Sequence, residues 1–325
     1  LPLRRGNADV RIEAALPEAL TRSTSLAILA GQAKDWGPGP WRIITEDGAE
    51  IRGEGPLPPL PMGYHRIEHN GWIVHLLAAP PRLPSPPRRW GVTVPLFALW
   101  QGVQAGMGTY PQLGDLAQGL ARQGASFVGI NPIHAGFPTD TGNFSPYAPS
   151  HRRRLNTLHV ATGVALPETG PLIDYPRTIR AQRAALEESF AIFRGDPDFE
   201  AWRGEQGAAL EEFATHQALS EVHGGYWGSW PLAYQDPKSP QVQSFARERR
   251  QRVRFHAWAQ WLAESQLSDS QRRARAAGMG FGLYLDLAVG THPHGAETWA
   301  ERGLFAQGVS LGAPPDLLGP SGQRW

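Results

Sequence analysis

The sequence predicts an α/β protein. A small β-sandwich-like N-terminal domain over residues 1–87 precedes an incomplete (β/α)8 barrel over residues 88–325, which carries a helical insertion at about 160–276. Three observations predict it. Short apolar stretches between Gly/Pro clusters fill the first 87 residues, a run of prolines closes them, and strand–loop–helix–strand spacing begins directly afterwards.

In the first domain Ser25–Leu29, Trp41–Thr45 and Trp72–Leu77 read as strands, punctuated by turn residues such as Gly37, Pro38, Gly39 and Pro40. From Pro80 to Pro87 five of eight residues are proline, which neither a helix nor a central strand accepts, so this stretch reads as a stiff linker. Beyond it Gly91–Phe97 is a buried strand, followed by a glycine-rich loop from Gly102 to Gly108. Asp115–Gln123 is a helix and Ser126–Ile130 a second buried strand, which together make a parallel βαβ unit. Arg177–Arg194, Glu205–Leu219 and Val242–Gln266 carry apolar residues three and four apart and read as helices. Arg272–Ala277 is a short helix stopped by Gly278, and Phe281–Val289 is the third strand. A closed barrel takes about 250 residues. Arg88–Trp325 offers 238, of which the insertion takes about a hundred, so a complete barrel does not fit.

Composition narrows the function classes. Thirty-one basic against thirty acidic side chains leave a formal charge of +1, which argues against a nucleic-acid partner. No cysteine is present, so disulfides, thiolate metal sites and Cys nucleophiles are all excluded. No stretch reaches the roughly 18 apolar residues of a membrane span, and Leu1–Val10 is not a signal peptide, so a soluble cytoplasmic protein is expected. Twelve tryptophans suit either a core or sugar stacking.

Several motifs fail on context. Gly308-Val309-Ser310-Leu311-Gly312 has the spacing of a nucleophile elbow, but Ala313-Pro314-Pro315 opens no helix after it. Gly278, Gly280 and Gly282 precede a strand, whereas a dinucleotide fingerprint follows one. His292-Pro293-His294 with Glu297 lacks the spacing of a metal site. The basic run His151-Arg152-Arg153-Arg154 reads as a solvated face or structural ion pairs ahead of a phosphate patch. What remains are the loops after the strands, where parallel barrels place their chemistry. Asn143–Ser150 is stiffened by prolines and offers a hydroxyl, a phenol and an amide, as sugar binding requires. Asp286 stands near the end of the third strand, where a carboxylate is a binding or electrostatic group.

Six pieces in order carry a resemblance over residues 88–325. They are Arg89–Leu96, Gly129–His134, Ser145–Ser150 with Arg152, Arg153, Leu155 and Asn156, His223–Gly225 with Trp227, Trp230 and Pro231, Tyr284–Gly290 with Gly295–Trp299, and Gly312–Pro320 with Gly322, Gln323 and Trp325. In these the sequence resembles the amylomaltase (4-α-glucanotransferase) branch of the α-amylase clan. The resemblance implies retaining transfer of α-1,4-glucan segments between maltodextrins, with an Asp nucleophile, a Glu acid/base, a further Asp, and no metal or organic cofactor. It implies sugar contacts for Ser145 and Tyr147, the latter stacking where the bond is cut. Asp286 takes the place of the Asp that ends the third barrel strand. Pro314 and Asp316 fall in a mobile loop over the acceptor sites, and Gln323 and Trp325 at its glucan-contacting end. The family nucleophile sits in an Arg-[Ile/Val]-Asp-His motif downstream of that segment, and no such motif occurs in these 325 residues. The reading is therefore a fragment with no catalytic residue of its own, inactive alone; the alternative is a non-catalytic α-glucan-binding or scaffold protein.

Overall fold

The computed structural model describes residues 3–5, 8–10, 24–83, 85, 87–100, 106–168, 170, 172–306, 308–309 and 311–324. The chain divides into two compact units, Leu1–Pro87 and Arg88–Trp325. Pro84 and Pro86 of the linker, Gly102 at the start of the glycine-rich loop and Ser310 of the elbow-like motif lie outside the described residues.

In the first unit β1 (Leu3–Arg5) and β2 (Ala8–Val10) pair as an antiparallel ribbon. A five-stranded sheet follows, from β3 (Thr24–Leu29), β4 (Pro40–Ile44), β5 (Glu50–Glu54), β6 (Gly63–His69) and β7 (Trp72–Ala79), in the order β3-β7-β6-β4-β5. Of the anticipated sandwich, the described residues supply this one sheet and the ribbon. Alternation decides its faces: Trp41 and Ile43 of β4, Ile67 of β6 and Leu76 of β7 are buried together with Ile28, Leu57 and Leu60. Gly53 lies opposite Trp41, where a Cβ would come within 2.4 Å of the indole, so this position is closed to any side chain. The indole N–H donates to the Gly55 carbonyl at 2.8 Å.

The second unit is built on a parallel sheet of β8 (Gly91–Val94), β9 (Phe127–Ile130) and β12 (Gly282–Tyr284), with β9 in the middle. Gly91 and Gly282 both stand level with Phe127. A Cβ at Gly91 would meet that ring at 2.5 Å. β8 ends at Val94 instead of Phe97, because Pro95 offers no N–H to a ladder. The third strand is three residues long, not nine: only Gly282–Tyr284 pair with β9, and the chain beyond is held by side chains instead.

Around the sheet α1 (Tyr110–Arg122) is set by a capping box between Thr109 and Gln112. It buries Tyr110, Leu113, Ala117 and Ala121. β10 (His134–Ala135) and β11 (His151–Leu155) form a small antiparallel pair. The helical region comprises α2 (Tyr175–Ile192), α3 (Pro197–His223), α4 (Leu232–Gln235), α5 (Pro240–Glu248) and α6 (Arg250–Ala276). α3 starts earlier than its periodicity indicates, at an Asp196 cap followed by Pro197, and it breaks its helical geometry at Gly207 (φ 58°). The expected helix 242–266 is two helices meeting at Arg249, and the second runs on through Arg272 to Ala276, since nothing between Gln266 and Arg272 stops it. α7 (Ala296–Ala300) and the ribbon of β13 (Gly312–Ala313) with β14 (Gln323–Arg324) complete the unit.

The main core joins β9, α1, α3 and α6, through Val128, Leu113, Leu210 and Trp258 among others. Replacing fully buried Leu113 by alanine is expected to cost the second unit about 2–5 kcal/mol, read as a lowered urea midpoint of its unfolding transition.

Candidate functional site

At the carboxyl ends of the three parallel strands lies a cleft of about 400 Å³. Val94 and Pro95 close β8, Ile130 and Asn131 close β9, and Tyr284, Leu285 and Asp286 close β12. Tyr147 reaches the same cleft from its loop, so Tyr147 and Asp286, far apart in sequence, line one space. Tyr147 is 65% exposed, free to be covered by a flat ligand face. The floor is held by Asn131, whose Oδ1 accepts the Leu96 N–H at 2.7 Å while its amide N–H donates to the Pro132 carbonyl. Asn131 thereby ties the loop after β8 to the loop after β9.

The loops bearing Tyr147 and Asp286 are fastened to each other. The Pro149 carbonyl accepts from the His292 N–H (2.8 Å) and the Thr291 hydroxyl (2.9 Å). Ser150 accepts the Glu297 N–H on its carbonyl and the Ala296 N–H on its hydroxyl, each at 2.9 Å. Gly295 passes so close that a Cβ there would lie 2.6 Å from the Ser150 carbonyl oxygen. Arg152 then closes the clamp: its backbone N–H and its guanidinium both donate to the Glu297 carboxylate at 2.9 Å, and Nη1 donates to the Val289 carbonyl. Burial pushes the Glu297 carboxyl up, but these hydrogen bonds outweigh it and hold the group below the usual carboxylate range. Buried His134 accepts the Ala288 N–H on Nε2 at 3.1 Å, which requires a neutral imidazole, and burial lowers its pKa accordingly.

Ser145 accepts the Tyr147 N–H on its hydroxyl (3.4 Å) and lines a separate internal cavity, so it shapes the Tyr147 turn from outside the cleft. Pro314, Asp316 and Gln323 belong to the β13–β14 hairpin. There the Asp316 carboxylate accepts the Leu318 N–H (2.8 Å) and Gly319 N–H (2.6 Å), which organises the turn and leaves Leu317 and Leu318 fully exposed. Trp325 lies outside the described residues. The Arg run is not a patch. Arg152 pairs with Glu297, Arg153 with Glu301, and Arg154 turns inward. His292 packs on Phe137 and Tyr226, and among the described residues no three metal-ligating side chains cluster. Asn131 and His134 are positioning groups that sequence reasoning quoted without a role, and Glu297, weighed there only as a metal ligand, is a third. Their signal was position, since two follow β9 directly and the third follows the Asp286 loop.

The fold is that of an α/β protein with a cleft on the loops at the carboxyl edge of a parallel sheet, the edge where such folds carry their sites. The chain belongs to the 4-alpha-glucanotransferase family, whose profile matches residues 94–325. It is 34% identical to a 4-alpha-glucanotransferase of Mycobacterium tuberculosis, with 82% of this chain and 42% of that protein covered. With that of Haemophilus influenzae the identity is 31%, covering 83% of this chain and 46% of the relative. Among solved structures, amylomaltase from Corynebacterium glutamicum superposes with a TM-score of 0.61 at 26% identity, over 94% of this chain and 50% of that one. Amylomaltase from Streptococcus agalactiae, solved with acarbose, shares the fold at a TM-score of 0.64 and 17% identity, over 74% of this chain and 52% of that one. The chain thus spans less than half the length of these two sequence relatives. No helix among the described residues is long and apolar enough to cross a membrane.

Burial lowers the pKa of His151 and of His159 to about 4, and that of His216 to about 3. The unfolded chain protonates these rings near pH 6.5, the folded chain only well below it. Their contribution is therefore complete above about pH 6.5 and is lost as the pH falls toward 4. The thermal midpoint of the second unit is expected to fall steadily from pH 7 to pH 4. His159→Asn should flatten that slope by about 1.4 kcal/mol per pH unit within the window, as followed by circular dichroism.

Proposed function

We propose that this chain provides part of the donor and acceptor glucan sites of a 4-α-glucanotransferase, on the first three strands of an incomplete (β/α)8 barrel, acting on maltodextrins in the cytoplasm. The observation that carries the reading is the meeting of Tyr147 and Asp286 in one cleft at the carboxyl ends of β8, β9 and β12. Family membership supports the chemistry: a retaining double displacement that moves an α-1,4-glucan segment to the 4-hydroxyl of an acceptor, with no cofactor. In this reading the Tyr147 ring covers a sugar face, and Asp286 accepts hydroxyl hydrogens from the same ring. Ser145 fixes the Tyr147 turn. The hairpin with Pro314, Asp316 and Gln323 lies over the acceptor, its exposed Leu317 and Leu318 facing the glucan, and Trp325 is carried over from the resemblance as a glucan contact.

No residue here is assigned as nucleophile or acid/base. Arg-[Ile/Val]-Asp-His does not occur in the sequence, and neither Asp286 nor Glu297 is a substitute. Glu297 is spent on Arg152. The alternative reading, a non-catalytic α-glucan-binding protein, is separated from this one by a single experiment.

The 325-residue chain incubated with maltotriose is expected to yield no glucose or longer maltodextrin above background, followed by chromatography. Without a glycosyl-enzyme the loss is roughly a millionfold or more. Binding of maltodextrin should persist at about millimolar affinity and weaken about tenfold in Tyr147→Ala. Turnover that survives repurification overturns the reading. Joining the chain to a relative's downstream segment that carries the nucleophile should restore transfer; continued inactivity with intact binding favours the binder.

A further inference from the structure

Tyr226 is half-buried in the segment between α3 and α4, outside the cleft, and its hydroxyl closes the loop that carries Tyr147. It donates to Asp140 Oδ2 at 2.5 Å and accepts from Asn143 Nδ2 at 3.1 Å. Asp140 also accepts the Gly142 N–H on Oδ1 (3.0 Å) and the Asn143 N–H on its carbonyl (3.1 Å). The phenol thus binds both ends of this turn from outside the loop. A phenol on a carboxylate is a charge-assisted pair, and burial together with that bond keeps its pKa above the ordinary value, so it remains a donor. The ring is fixed as well. It packs on Phe137 at 5.1 Å and on His292 at 4.9 Å, and those two rings meet at 5.0 Å. His292 comes from the loop after Asp286, so three segments of the chain meet at Tyr226.

Tyr147 needs such a support. Its side chain forms no hydrogen bond or ring contact among the described residues, so the backbone decides where the exposed ring stands. Phe144, Ser145 and Pro146 separate it from Asn143. Each is fixed locally. Phe144 stacks on Tyr175 at the start of α2, with 3.9 Å between ring centroids and 5° between planes. The Ser145 hydroxyl accepts the Tyr147 N–H, and Pro146 fixes its own φ. A segment this short and stiff passes a shift at Asn143 on to Tyr147. The Tyr226 hydroxyl is taken up by Asp140 and Asn143 and does not line the cleft, so its influence on a ligand there runs through the loop. We propose that Tyr226 is a positioning residue, which holds the Tyr147 ring where it can cover a sugar in the cleft shared with Asp286. The identity of the ligand rests on the glucan reading given above.

The experiment titrates the ¹⁵N-labelled full chain with maltotriose and follows the Asp286 amide signal by NMR, since Asp286 lines the cleft and is present in every variant. Tyr226→Phe keeps the ring and removes both hydrogen bonds. It should raise the midpoint about threefold to fivefold, the worth of one ordinary hydrogen bond, and leave the urea midpoint of the second unit in place. In a Tyr147→Ala background the same substitution should have no further effect, because the ring it positions is gone. A role spread over the fold would instead weaken binding equally in both backgrounds, and that result overturns the proposal. So does a Tyr226→Phe midpoint equal to that of the unsubstituted chain, which leaves the glucan reading standing. If Tyr226→Phe lowers the urea midpoint, Asn143→Ala, which breaks the same contact and leaves Tyr226 intact, carries the same comparison. An unsubstituted chain that gives no maltotriose response overturns both readings.

Discussion

Burying the carboxylate of Glu297 is the commitment from which the geometry of the carboxyl face follows. A carboxylate at 4% exposure is tolerable only with its lone pairs filled, and here they are filled by one residue, Arg152, through both its backbone N–H and its guanidinium. That requirement fixes where β11 starts relative to α7. Ser150, immediately before β11, is then brought against Gly295 and Ala296, and its carbonyl and hydroxyl accept the Glu297 and Ala296 N–H groups. Tyr147 lies three residues upstream of this contact and Asp286 shortly upstream of the other strand of it. Neither touches Glu297, yet both take their places from it. Breaking one side of such a half-buried pair costs about 3–5 kcal/mol, whereas an exposed pair such as Arg52–Glu50 is worth about 0–1. The clamp and the surface ladder of the first unit are chemically alike and energetically different.

A second device recurs along α6. The end of β11 and the irregular segment after it carry backbone groups that no strand satisfies, and glutamine side chains from helices do it instead. Gln260 accepts the Leu155 N–H and donates to the Leu155 carbonyl, at 2.9 and 2.7 Å, as a neighbouring strand would. Gln266 does the same for Ala161, and Gln182 of α2 donates to the Thr157 and Val160 carbonyls. Gln271 accepts the Leu283 N–H on the side of β12 away from β9. Buried backbone groups have to be paired, so the long helix acts as a template for the loops. The helical insertion is therefore part of what shapes the site loops, through Leu155 and the residues that follow it.

These devices explain what could be read from the sequence. The parallel strands around Val92, Val128 and Leu283 and the helix over Arg177–Arg194 were legible because each shows a local period. So was the junction of Tyr147 with Asp286, because strand ends on one edge of a parallel sheet converge. The extent of the third strand was not legible: Leu285–Val289 is as apolar as a strand, but pairing is set by the neighbour, and the pairing of β12 with β9 stops at Tyr284 and Gly129. The merger of Arg272 into α6 was missed because Gly278, two residues past its end, suggested a separate short element. Ser145 was assigned to the cleft by its neighbourhood in sequence, yet a turn sends adjacent residues to opposite sides. The tryptophan excess was ambiguous on composition. Trp41, Trp227, Trp230, Trp258 and Trp299 are buried, and no tryptophan among the described residues lines the Tyr147–Asp286 cleft.

The basic run shows why spacing alone could not settle charge. Three consecutive arginines on a strand point alternately to opposite faces, so one stretch of sequence serves different surroundings. Arg152 meets Glu297 on one side of β11, Arg153 meets Glu301, and Arg154 is drawn over Phe213 beneath α3. With two of the three charges neutralised by carboxylates from a single short segment, 297–301, the run presents no collective positive field. A field that attracts phosphates needs several unpaired cations on one surface, and here the third arginine is buried with Nη1 donating to Gln206. The arginines of this run thus hold the strand β11 to helical segments and present no site for an anion.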